Sequence, residues 1–110
     1  IAWDTGDVEG VLACFVPEGR FTDAAGGEHR GHANIRAFVE GSPAAFGRMR
    51  HITSSHLVDL HEGTSARHRC YVVFVSHPGG DRVLDTGEYD DHVVLVDGAW
   101  RFAARTVAFD

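Results

Sequence analysis

From Arg48 onward the chain falls into four long segments rich in β-branched and aromatic residues, and this tail narrows the accessible folds more than any other feature. The segments are 49–60, 66–76, 82–96 and 99–108. His61-Glu62-Gly63-Thr64, His77-Pro78-Gly79-Gly80 and Val96-Asp97-Gly98 separate them, and their Gly and Pro residues are turn signals. Strands that follow one another through tight turns pair with their sequence neighbours, so the spacing predicts an antiparallel meander.

The first half follows a helical period. Residues 1–16 predict a helix in two pieces, with Asp7 as N-cap and Val8, Leu12, Phe15 and Val16 on one apolar face. Pro17-Glu18-Gly19 is its stop. Arg20-Phe21-Thr22-Asp23 reads as a short strand and Ala24-Ala25-Gly26-Gly27 as a turn. Residues 32–40 predict a second helix with Ile35, Phe38 and Val39 on one side, ended by Gly41-Ser42-Pro43. Ala44–Phe46 adds one further turn, closed by Gly47. Helices first and a curved antiparallel sheet afterwards is an α+β layout, and 110 residues leave room for a single domain over 1–110.

Charge and composition remove several function classes. A formal net charge of −6 opposes nucleic acid or an anionic membrane as partner, because both need a basic footprint. No apolar run approaches the roughly 18 residues of a membrane span, and the expected chain is soluble. Every basic residue is Arg, so no Lys is present to form a Schiff base. Nothing at the start reads as a signal peptide, given Asp4, Asp7 and Glu9. Cys14 and Cys70 lie in apolar segments and are expected as buried free thiols, which fits a reducing, cytoplasmic location. Gly26-Gly27 and Gly79-Gly80 are turn glycines rather than a phosphate loop, and no Gly-x-Ser-x-Gly elbow occurs.

Six local patterns then occur in a telling order. They are Asp4-Thr5-Gly6-Asp7 followed by Phe15 and Pro17-Glu18-Gly19; Gly31 before the second helix; Arg50-His51-Ile52-Thr53-Ser54; Gly87-Glu88-Tyr89-Asp90-Asp91; Asp97-Gly98-Ala99-Trp100-Arg101-Phe102; and Arg105. In this order they resemble the SnoaL-like branch of the nuclear transport factor 2-like superfamily over essentially the whole chain. The resemblance implies a cone: a curved antiparallel sheet wrapped around N-terminal helices, enclosing a mostly apolar pocket for a hydrophobic small molecule. Because the sequence begins at Ile1, the start of the family's first helix is expected to be missing.

Dehydratases and dehydrochlorinases of this superfamily use an Asp–His pair, and the matching positions are Asp4 and His51. A neutral imidazole takes a proton from an activated carbon near pH 7, and a carboxylate on its other nitrogen fixes the tautomer. The resemblance implies a cofactor-free lyase or isomerase acting on a cyclic substrate. The plain alternatives are a helix-cap or turn carboxylate at Asp4 and a strand residue bonded to a backbone carbonyl at His51. Arg105 either holds an anionic group of the ligand, pairs with Asp4, or serves a structural ion pair. Tyr71 and Tyr89 are candidate hydrogen-bond donors to a substrate carbonyl, with packing as the competing role of Tyr89. Trp3 and Phe15 are expected to line the pocket. Asp91 shares a face with Tyr89 and reads as a structural partner for an Arg. The stretch Cys70-Tyr71-Val72-Val73-Phe74 offers no carboxylate, which disfavours a polyketide-cyclase mechanism needing an acid there.

Strand spacing argues against a metal site. His51, His56 and His61 are five apart, so alternate members face opposite sides, while His29 and His32 lack a third ligand. The competing functional reading is a non-catalytic ligand carrier or assembly domain, since the superfamily also contains small subunits that brace ring-hydroxylating dioxygenases. The outer sheet face of this superfamily often dimerises, so the resemblance implies a homodimer through that face, and the alternating apolar residues over 82–96 fit it.

Overall fold

The computed structural model describes all residues, Ile1–Asp110. A turn-rich opening leads into α1 (Val8–Ala13), where the Asp7 carboxylate accepts from the Gly10 N–H at 2.9 Å as N-cap. The helix ends far earlier than its apolar spacing suggests. Phe15 begins a strand, β1 (Phe15–Thr22), followed by β2 (Glu28–Arg30). The reason lies far along the chain: Phe15 pairs with Phe102, and the Phe102 N–H donates to the Cys14 carbonyl at 2.7 Å. Pro17 sits where the β1 register jumps, between Phe15 and Arg20, so its missing N–H interrupts no regular ladder. Arg101 caps the C-terminal carbonyl of α1 at Ala13.

Helix α2 runs from Gly31 to Phe46 and carries Pro43 inside it. Gly41-Ser42-Pro43 therefore does not end the helix. Ser42, buried, donates to the Phe38 carbonyl and accepts from Trp3 Nε1, each at 3.1 Å, so tertiary contacts hold the turn that Pro43 weakens. Gly47 supplies the true stop, with φ at 64° and its N–H on the Pro43 carbonyl.

Four long strands follow: β3 (Arg50–His61), β4 (Ser65–Ser76), β5 (Val83–Val96) and β6 (Ala99–Phe109). The six-stranded sheet has the order β2-β1-β6-β5-β4-β3, and the predicted meander is its β3-to-β6 portion. The sheet is not wholly antiparallel, because β1 pairs with β6 in parallel. Asp97 and Gly98, with φ of 50° and 79°, make the tight β5–β6 turn that Asp-Gly favours. In β3 the register shifts between Ser54 and Leu57, and Ser55 takes a left-handed φ of 58°.

The sheet curves around α2, and Ile35 and Val39 of the helix pack against Val72, Cys70, Tyr89 and Val107. Fully burying side chains such as Ile35 and Val72 stabilises the fold by about 1.5–3 kcal/mol each. Asp91 lies in the same interior with its side chain fully buried. Arg105 donates to its two oxygens at 2.8 and 2.9 Å, and His68 Nδ1 donates to Oδ2 at 2.7 Å. The guanidinium in turn lies 3.8 Å above the Tyr89 ring and 4.2 Å from that of Phe102.

Two stability predictions follow from this packing. A Cβ on Gly47 would meet the His77 carbonyl oxygen at 2.4 Å, and φ there is left-handed. Gly47→Ala should cost about 2 kcal/mol or more, read as a Tm lower by roughly 8 °C or more; an unchanged Tm would refute this account of the helix stop. Burial, the largest cause, pushes the Tyr89 hydroxyl up to about 12 from 10.0. Its folded value exceeds the unfolded one, so this contribution is complete below pH 10.0 and fades as pH rises toward about 12. Urea midpoints on either side of pH 10.0 should fall further for wild type than for Tyr89→Phe.

Candidate functional site

Asp4 and His51 meet although 47 residues separate them. The turn before α1 delivers the carboxylate and β3 delivers the imidazole. Asp4 Oδ2 accepts from the His51 backbone N–H at 2.8 Å, and Oδ1 accepts from His51 Nδ1 at 2.5 Å. A carboxylate only accepts, so Nδ1 carries the proton and the lone pair of a neutral ring lies on Nε2. Both side chains are mostly buried, at 11% exposure for Asp4 and 19% for His51. Trp3 and Phe74 flank the imidazole with ring centres at 5.6 and 4.6 Å, which leaves it little freedom to turn.

Two clefts meet at this pair. The larger, of about 350 Å³, is mainly aromatic, with Phe21, Phe38, Phe46, Phe74 and Phe109 in its walls. The smaller, of about 300 Å³, is lined by Phe15, Thr53, Phe102 and Arg105 among others. Trp3, His51 and Tyr89 border both. The geometry thus offers one oriented imidazole nitrogen beside a large apolar volume and a smaller one that contains a cation.

Arg105 pairs with Asp91 rather than with Asp4. Tyr89 is buried against that guanidinium and reaches both clefts. Tyr71 departs from the expected position. It alternates with buried Cys70 and Val72, is 55% exposed and lines neither cleft, so it lies on the outer sheet face. Cys14 also departs from expectation: it is exposed at the end of α1, while Cys70 is buried, and both are free thiols. His29 and His32 are occupied locally, His29 by Asp23 at 2.8 Å and His32 by the Phe15 carbonyl at 3.0 Å.

Two features of the concave side were missed or misplaced from sequence. Asp23 borders the larger cleft and accepts from the Ala25 and Gly27 N–H groups. The His29 imidazole beside it, more than those amides, holds its carboxyl below the usual range. An Asp directly before Ala-Ala-Gly-Gly is the signal that would have found this turn. The second feature is His56. The irregularity at Ser55 reverses the alternation of β3, so His51 and His56 share the concave face and His61 does not, contrary to the simple count of five. His56 consequently meets His68 at 2.9 Å, with Cys70 alongside.

Comparison with known proteins agrees with this architecture. Rv3472 of Mycobacterium tuberculosis, a protein of unknown function, superposes with a TM-score of 0.89 at 29% identity. That match covers 99% of this chain, which spans only 63% of the length of Rv3472. A scytalone dehydratase-like protein of Novosphingobium aromaticivorans matches at 26% identity and a TM-score of 0.86, covering 99% of this chain and 74% of its own. LinA shares the fold, with a TM-score of 0.91 at 16% identity over 100% of this chain and 77% of LinA. No curated protein sequence matches significantly. No helix is long and apolar enough to cross a membrane. The family model of the SnoaL-like domain matches residues 1–106, and the chain belongs to that family.

Proposed function

We propose that this SnoaL-like domain is a cofactor-independent lyase or isomerase of the dehydratase type, acting on a hydrophobic cyclic molecule. The observation that carries the reading is the two-point contact of Asp4 with His51, at 2.5 and 2.8 Å, beside an aromatic-walled cleft. The likeness to a scytalone dehydratase-like protein agrees with it.

In this reading His51 Nε2 is the general base. It removes a proton from a carbon next to a carbonyl, and the released electron pair forms a double bond as a neighbouring hydroxyl or halide departs. The imidazolium then returns its proton to a departing hydroxide or to solvent. Asp4 stays ionised, keeps Nε2 aimed at the substrate and stabilises the imidazolium. The larger cleft takes the apolar ring system. Arg105 and Tyr89, at the smaller cleft, face the negative charge that develops on the carbonyl oxygen. Trp3 and Phe15 shape the walls.

A second reading has its own support. Both oxygens of Asp91 occupy Arg105, and Ile52, Leu57, Tyr71 and Leu84 are at least half exposed on the outer face. This suits a ligand carrier or an assembly domain whose sheet packs against another copy. Under either reading the outer face forms a homodimer. Light scattering of the purified chain should give twice the monomer mass, with Leu57→Arg reducing it to the monomer; a monomeric wild type removes the dimer.

The catalytic reading is tested with a panel of hydroxylated and halogenated cyclic ketones and related rings. Turnover should show elimination products, and His51→Ala should lower kcat/KM by about 10²- to 10⁴-fold while leaving the fold intact. Asp4→Asn should lower kcat more than it raises KM, because it disturbs orientation rather than binding. Binding without turnover would favour the carrier reading instead, and a His51→Ala variant as active as wild type would remove His51 as the base.

A further inference from the structure

We propose that His56, His68 and Cys70 form a site for a thiophilic divalent cation of the zinc class, separate from the Asp4–His51 clefts. None of the three residues lines either cleft. Their ligating atoms, one from each side chain, all lie within 4.8 Å of one another.

The fold builds the cluster from two strands. His68 and Cys70 are two apart on β4 and so share the concave face. His56 joins them only because the backbone at Ser55 turns left-handed and shifts the β3 register. The two imidazoles lie nearly parallel, at 13° with centres 5.1 Å apart, and His56 Nδ1 is 2.9 Å from His68 Nε2.

The protonation pattern favours a metal. Asp91 is a buried carboxylate whose Oδ2 lies 2.7 Å from His68 Nδ1, so that nitrogen bears the proton and Nε2 presents its lone pair toward His56. A histidine that binds metal through one nitrogen while donating the other N–H to a carboxylate is the recurrent outer-shell arrangement of metal centres. Arg105 clamps the same carboxylate through both oxygens, which fixes the direction of His68. Two imidazoles and a thiolate suit zinc better than the harder cations, and three protein ligands leave a fourth position for water. His56 is exposed, so a cation reaches the cluster from solvent.

Binding balances simply. The cation replaces the hydrogen bond between the imidazoles, the His56 proton resides on Nε2, and the Cys70 thiol releases one proton to solvent. Burial pushes the Cys70 thiol up, so the cation competes with that proton. Once bound it clips β3 to β4 across the register shift.

Cobalt(II) is the probe. Titrating it into chelator-stripped protein should produce a near-ultraviolet thiolate-to-cobalt absorption saturating at one equivalent, which zinc then abolishes by displacement. Cys14→Ser should keep the band and Cys70→Ser should lose it. Because His56 is exposed, His56→Ala should remain folded by circular dichroism and bind zinc at least about tenfold more weakly in a competition assay. Absence of a thiolate band on folded wild type, a band that follows Cys14, or unchanged zinc affinity in His56→Ala would each overturn the proposal.

Discussion

The interior depends on one buried negative charge. Asp91 has no solvent to stabilise it and is held by Arg105 and His68, so three neighbouring strands, β4, β5 and β6, are bound to a single carboxylate. Removing one partner of such a pair leaves an unmatched charge in the core and costs on the order of 3–5 kcal/mol. The arrangement also sets directions. Arg105 is held over the rings of Tyr89 and Phe102, and His68 is committed to one tautomer. Whatever each of these residues does, its orientation is inherited from Asp91.

Asp4 acts on a different scale. Its carboxylate grips the ring of His51 and also the amide of the same residue, so backbone and side chain are registered together. Rotating the imidazole away would break the shorter contact and push the ring into Trp3 or Phe74. Trp3 is itself anchored to Ser42 of α2. The turn before α1 thereby joins helix and sheet at one point, and a shift in α2 reaches the imidazole through the indole.

Legibility in the sequence tracked the range of the interactions involved. Asp97-Gly98 makes its turn through its own backbone preferences, and the Asp7 cap needs only Gly10, so both were readable locally. The four long strands were readable because their partners follow one another. Phe15 was misplaced because its spacing from Leu12 fits a helix, whereas its pairing with Phe102 joins nearly opposite ends of the chain. Pro43 looked like a stop because the contacts that sustain the helix around it come from Trp3 and Ser42. His56 was assigned to the wrong face because a single left-handed residue, Ser55, reverses the alternation after it. Asp4 and His51 entered through family resemblance, and no local count pairs them.

The parallel contact of β1 with β6 is the longest-range pairing in the sheet. The β3-to-β6 meander closes through short loops, so its chain-entropy cost is small and it can form early. Joining β1 to β6 brings the two ends of the chain together and carries the largest sequence separation of any pairing in the sheet. The strand that it docks carries Phe15, and the segment just before it carries Asp4 and Trp3. The sheet alone therefore holds the imidazole without its carboxylate, and the clefts take shape only as the two ends of the chain come together.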